Sequence, residues 1–312
     1  MSAILSRIIR AFVAFLMAIS PTLPDIFSLP SIPQGQSLDL DSRFELVWSD
    51  EFDGDSLDTT KWQYDWWELV RKGGYWHEDM VKVENGNLVI TTAYYEEGLP
   101  IPEAYENYFS QKEDYFSQKE DYTPYGSGWY TGCITGQGKQ NFLYGYYECR
   151  AILPKSTGMW SAFWMMNKQV VNVDGSGQDG TEVDIFESMY YKDNPYGFGD
   201  CVISGIHYDG YGEGHQGDSI GKWFTNNPYE EFNTYGLEWT PDEYIFYING
   251  VETGRLSTGG VSQNPEYLIL SCEVAGSDGV AYADRHGTGK MNMEPGDTAE
   301  FIVDYVRVYK HK

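Results

Sequence analysis

The segment MVKVENGNLVITT, residues 80–92, constrains the fold more than any other stretch. Two runs rich in β-branched residues flank Asn85-Gly86, and Asn-Gly readily supplies the two left-handed backbone positions that a tight hairpin needs. YIFYINGVETG, residues 244–254, repeats the device around Asn249-Gly250. Other short runs punctuated by turn residues are FELVW (44–48), YTGCIT (130–135), YGYYECRAIL (144–153), SAFWMM (161–166), EVDIFES (182–188), CVISGIHY (201–208), TYGLEWT (234–240), YLILSCEVA (267–275) and FIVDYVRVY (301–309). No stretch sustains a helical apolar period. Many short strands predict an all-β, jelly-roll sandwich of two antiparallel sheets. The 26 Tyr, 15 Phe, 10 Trp and 34 Gly point the same way, toward strands and turns.

The 47 acidic residues outnumber the 21 Lys and Arg, for a formal net charge of −26. That excludes nucleic acid, whose phosphates need cations, and disfavours anionic membranes and acidic polymers; a neutral polar ligand suits it. At the start of the chain, Arg7 and Arg10 precede a nine-residue apolar run, Ala11 to Ile19. This pattern predicts an export signal or an N-terminal anchor over residues 1–20. Residues 21–42, rich in Pro and Ser, read as a linker, and 43–312 as one domain. The expectation is a secreted monomer with no membrane partner beyond that segment. The four cysteines, Cys133, Cys149, Cys201 and Cys272, lack the CxxC spacing of a zinc site. Export would permit disulfides, in any of three pairings.

YFSQKED stands twice in tandem, at 108–114 and 115–121; two copies are too few for a solenoid and read as a duplicated loop insertion. GSGQDG (175–180) matches a dinucleotide fingerprint but leads into a strand, with Asp179 to repel phosphate. GDSIG (217–221) matches a nucleophile elbow without the strand and helix that should flank it.

TEVDIFES, residues 181–188, carries the chemistry. In a chain with 47 acids in 312 residues, roughly one trio of acids at the spacing of Glu182, Asp184 and Glu187 arises by chance. The context says more, because Val183, Ile185 and Phe186 between them call for burial. Alternation puts Glu182 and Asp184 on one face and Glu187 on the other. A β-bulge near Ile185 or Phe186 would reset the alternation and gather all three. The two glutamates would then stand about 13 Å apart at Cα, with carboxyls able to lean within the about 5–5.5 Å of a retaining glycosidase. Crowded carboxyls raise at least one pKa, which leaves one acid protonated beside an ionised partner. The alternatives are solvated acids on an edge strand and a carboxylate cluster for a hard cation.

These residues resemble glycoside hydrolase family 16, the laminarinase-like enzymes, in the bulged form of their E-[ILV]-D-x-x-E signature. WSDEFDGDSLDTTKW, VENGNLVI, YTGCITGQGKQNFLYGYYECRAILP, GMWSAFWMMN, YGLEWTPDEYIFYINGV and FIVDYVRVYK resemble family segments in family order, over residues 44–310. The resemblance implies a concave sheet that binds a polysaccharide, with Glu182 as nucleophile, Glu187 as general acid/base and Asp184 assisting. It further implies Trp160 as a cleft residue, with Trp164, Trp76 and His207 as other substrate-binding candidates. No cofactor is implied for catalysis; a structural calcium is, at Asp304 and the Gly86 carbonyl. The tandem insertion and YYKDNPYGFGDCVISG depart from the family pattern. The implied activity is endo-hydrolysis of a β-1,3- or mixed-linkage β-glucan. The alternatives are a β-galactan hydrolase, a transglycosylase, a lectin-like jelly roll without catalysis, and an acidic calcium-binding surface protein.

Overall fold

The computed structural model describes residues 30–64, 70–102, 126–193, 198–277, 280–281 and 291–312. Two large sheets stack with the core between them, as the short-strand pattern predicts. One has seven strands, in the order Gln216–Phe224, Cys201–Tyr208, Glu182–Tyr190, Met159–Met166, Tyr267–Val274, Cys133–Thr135 and Gln63–Tyr64. The other has eleven, and its long central strand, Thr298–His311, pairs with Gly145–Ile152, Asn87–Tyr95 and the domain's first strand, Phe44–Asp50. The last strand of the domain thus pairs with its first. Among the described strands of the two large sheets, only Gly74–Trp76 beside Gly128–Thr131 runs parallel.

Both Asn-Gly turns form as read. Asn85 and Gly86 have φ of 53° and 73°, and Asn249 and Gly250 of 50° and 73°. The first joins Val81–Glu84 to Asn87–Tyr95 and the second joins Tyr244–Ile248 to Val251–Leu256. GDSIG lies inside the strand Gln216–Phe224, and GSGQDG is the loop before Glu182–Tyr190. All four cysteines are buried, and none of them forms a disulfide.

Residues 30–42, expected to be linker, lie against the domain. Ser31 bridges to Trp223 beside the outermost strand of the seven-stranded sheet, and Ser37 bridges to Val251. They cover exposed sheet edges, which otherwise invite pairing with other chains. The export segment and the YFSQKED repeat lie outside the described residues. Among the described residues no helix is long and apolar enough to cross a membrane.

The core explains why the acidic strand sits where it does. Val183, Ile185 and Phe186 are 0, 2 and 0% exposed. Phe186 packs at 4.2 Å, centroid to centroid, on Tyr235 of the facing sheet and edge-on to Phe301. Burying such side chains contributes about 1.5–3 kcal/mol each, enough to fix which way the strand faces.

Candidate active site

The register of the acidic strand locates its extra residue. Against Met159–Met166, Glu182 pairs with Met166, Val183 with Met165 and Asp184 with Trp164; then Phe186 pairs with Phe163 and Glu187 with Ala162. Ile185 is skipped. On the other side Asp184 pairs with Gly205 and Glu187 with Ile203, so Ile185 and Phe186 together oppose Ser204. The Ser204 hydroxyl donates to the Ile185 carbonyl at 2.8 Å, satisfying a group that the bulge takes out of the ladder. Ile185 and Phe186 both enter the core, and Glu182, Asp184 and Glu187 share the opposite face. Deleting Ile185 would leave EVDFE, in which plain alternation keeps the three acids together. That variant is expected to lose about 2–5 kcal/mol of stability in a denaturant titration, as a core side chain disappears. An unchanged midpoint would contradict the packing of Ile185.

Each acid has a partner. The indole Nε1 of Trp160 donates to Glu187 Oε1 at 2.8 Å. The Tyr211 hydroxyl donates to Glu182 Oε2. His207, directly across from Glu182 on the next strand, places Nε2 3.4 Å from Asp184 Oδ2. Burial first, then the charge of Asp184, push Glu182 up to about 7, against the Tyr211 hydrogen bond and the His207 charge. Burial, then Asp184 and Glu182, hold Glu187 well above the carboxylate range. His207 is pulled down by burial, but its hydrogen bond to Asp184 and the charge of that acid outweigh this and raise it to about 9. At neutral pH the arrangement is therefore a protonated Glu187 and a cationic His207 against Asp184. Glu182, less strongly pushed than Glu187, is the carboxyl left to ionise, which is the division of labour that acid-assisted displacement needs. The three protons are coupled, so titration midpoints belong to the cluster.

The remaining candidates divide. Trp164 lies half-buried on the outer face, its Nε1 donating to Ser271 Oγ at 3.1 Å. Trp76 is only 3% exposed and donates to the Cys272 carbonyl; it packs with Cys133, Tyr267 and Ile269. A ring so enclosed supports the floor and cannot offer its face to a sugar, which corrects the substrate-binding role expected of it. Lys72 sets its ammonium 4.9 Å from the Trp160 ring, so a ligand at Trp160 meets a cation as well as an indole.

Glu182, Asp184 and His207 bring ligand atoms within 4.8 Å of one another and are the trio that could hold a cation among the described residues. Asp184 faces a charged imidazole there, and the set reads as a proton-sharing network. Asp304 accepts from Arg150 Nη1, and Gly86 lies in its turn.

Tyr211 and His215 were not legible as site residues. The signal, visible afterwards, is an aromatic set between glycines in YDGYGEGH, too short to pack as an element yet adjacent to a strand bearing His207.

The family model for the GH16 domain of β-porphyranases A–D matches residues 45–311. A β-glucanase of Rhodothermus marinus is 27% identical over 287 residues, covering 86% of each protein. The β-porphyranase B of Zobellia galactanivorans is 32% identical over 237 residues, covering 72% of each. Among solved structures, a mutant of SCLam, a non-specific endo-β-1,3(4)-glucanase co-crystallised with 1,3-β-D-cellotriosyl-glucose, superposes with a TM-score of 0.60 at 25% identity. That match covers 90% of this chain and all of the other.

Proposed function

The chain belongs to glycoside hydrolase family 16 and is a glycosidase, and from that premise we propose that it is a retaining endo-hydrolase of β-1,3- or β-1,3-1,4-glucan. The observation that carries the chemistry is the bulge at Ile185, which sets an ionisable Glu182 and a protonated Glu187 on one face. Glu182 attacks the anomeric carbon while Glu187 gives its proton to the departing glycosidic oxygen. A glycosyl ester on Glu182 results. Glu187, now ionised, takes a proton from water as that water attacks the anomeric carbon and breaks its bond to Glu182, which leaves as a carboxylate; the two inversions return the original β configuration. Asp184, held by His207, supplies charge between the two. No step needs a metal.

The similarity to glucan-cleaving enzymes supports the glucan, as does a strongly acidic chain suited to a neutral polymer. A second reading, a β-galactan, is favoured by the porphyranase domain model and by the 32% identical relative. A polymer too large to enter a cell fits an exported, monomeric enzyme, in line with the basic-apolar start of the chain.

The test is a panel of β-1,3-glucan, mixed-linkage β-glucan and β-galactans including porphyran, each with and without EDTA. Early products should be oligosaccharides of mixed length, the first anomer seen by NMR should be β, and EDTA should leave the rate unchanged. Cleavage of galactans alone would select the second reading. Monosaccharide as the first product would overturn the endo mode of action, and an α anomer the retaining mechanism.

A further inference from the structure

The Asp209–His215 loop reaches over the acids, and little in its composition asks it to. It is anchored at its start. Asp209 is buried with φ of 60°, its carboxylate accepting the backbone N–H of Asp174 and of Gly175 at 3.0 Å each. The Gly210 N–H donates to the Val170 carbonyl at 2.7 Å. At the far end the loop lies close on the neighbouring turn: a Cβ on Gly214 would come within 2.4 Å of the Val173 side chain, which would have to move aside. From this base Tyr211 extends, 57% exposed overall, yet with its hydroxyl on Glu182. His215 stacks on His207 at 5.0 Å and 26°, with its Nε2 2.9 Å from His207 Nδ1. Tyr211 lies nearly parallel to His215 at 6.5 Å.

We propose that this loop positions the catalytic acids: Tyr211 fixes the Glu182 carboxylate through Oε2 and leaves Oε1 to attack, while His215 orients His207 and, through it, Asp184. The inference rests on the reading of Glu182 as nucleophile. With His207 cationic, its Nδ1–H donates to a neutral His215, whose own basicity is lowered by burial and by that charge. The groups acting on Glu182 are Asp184 from its own strand, His207 from the adjoining strand, Tyr211 from the loop and Arg71, which ion-pairs with Glu273 of the strand Tyr267–Val274. Glu187 shares its face and buried Glu266 also feels its charge. Of these, Tyr211, His207 and Arg71 favour the ionised form, and among the described residues only Tyr211 bonds the carboxylate directly.

The experiment compares wild type with Tyr211→Phe and His215→Gln, with melting temperatures to confirm folding. It uses a 2-deoxy-2-fluoro-β-laminaribiosyl fluoride probe, or the galactobiosyl counterpart if the panel selects galactan. Mass spectrometry should find the adduct on Glu182 in wild type. In Tyr211→Phe, labelling and kcat should fall about ten- to hundredfold, the cost of one hydrogen bond to a charged group. KM should stay within about threefold if only the transition state loses. The acid-side limb of kcat/KM should move to higher pH, by about one unit, because removing a donor makes Glu182 harder to ionise. His215→Gln should shift the limb less, in the same direction. An unchanged profile and rate in Tyr211→Phe, or a raised KM alone, would overturn the positioning role. An adduct on another residue would overturn the nucleophile assignment first, and the inference with it.

Discussion

Glu182→Gln is expected to reduce glycan hydrolysis by on the order of ten-thousandfold or more while the protein still binds its polysaccharide. The amide matches the acid in shape, and its oxygen can still accept from the Tyr211 hydroxyl, so the surroundings stay in place. What disappears is the oxygen anion that would form the bond to the anomeric carbon. Stability should not suffer. Burial and Asp184 make the ionised carboxyl costly at this position, and a neutral side chain escapes that cost, so the melting temperature should hold or rise. Steady-state rates on the preferred polymer and affinity electrophoresis on the same polymer check both halves. A lectin-like protein would show no hydrolysis in the parent and little change in binding. Residual turnover above about one per cent of the parent rate would mean that another group makes the covalent bond.

How much of this was legible follows a physical line. Local chemistry was legible: the two Asn-Gly turns needed only two adjacent residues that tolerate positive φ, and both formed. The apolar runs were legible because burial acts on each residue separately. The strand Gln216–Phe224 was not, because it is a polar outer strand, largely exposed at its start, and nothing in its pattern alternates. The bulge was half legible. Parity alone demanded an extra residue between Asp184 and Glu187, but its place at Ile185 is set by pairing with Met159–Met166 and Cys201–Tyr208, strands that end 16 residues before Glu182 or begin 19 after it. Contacts made through loops were out of reach: Tyr211 meets Glu182 across 29 residues. Trp76 shows the converse error. An indole is as apt to complete a floor as to bind a sugar, and the enclosure of Trp76, 3% exposed, puts it in the floor.

Glu187→Gln should separate the two halves of the reaction. A sugar hydroxylate is a poor leaving group, so polysaccharide cleavage needs the proton that Glu187 carries. Its loss is expected to lower kcat/KM on the natural polymer by about 10²–10⁴-fold. An aryl glycoside with an acidic phenol as leaving group needs no such proton. With it, the glycosyl ester on Glu182 should form nearly as fast as in the parent and then accumulate, because no base remains to deprotonate water; a burst of phenol followed by slow turnover would report this. Azide needs no deprotonation. It should restore turnover and give the β-glycosyl azide, which Glu182→Gln cannot give. The pH profile carries the sign. Glu187 works as an acid only while protonated, and its carboxyl is held well above the ordinary carboxylate range, so activity in the parent falls as pH rises through the higher of the cluster's midpoints. That falling limb should vanish in the variant, while the rising limb, which needs Glu182 ionised, remains. Should the falling limb survive, the proton donor is another member of the cluster, and Asp184 with its His207 partner would be the group to replace next.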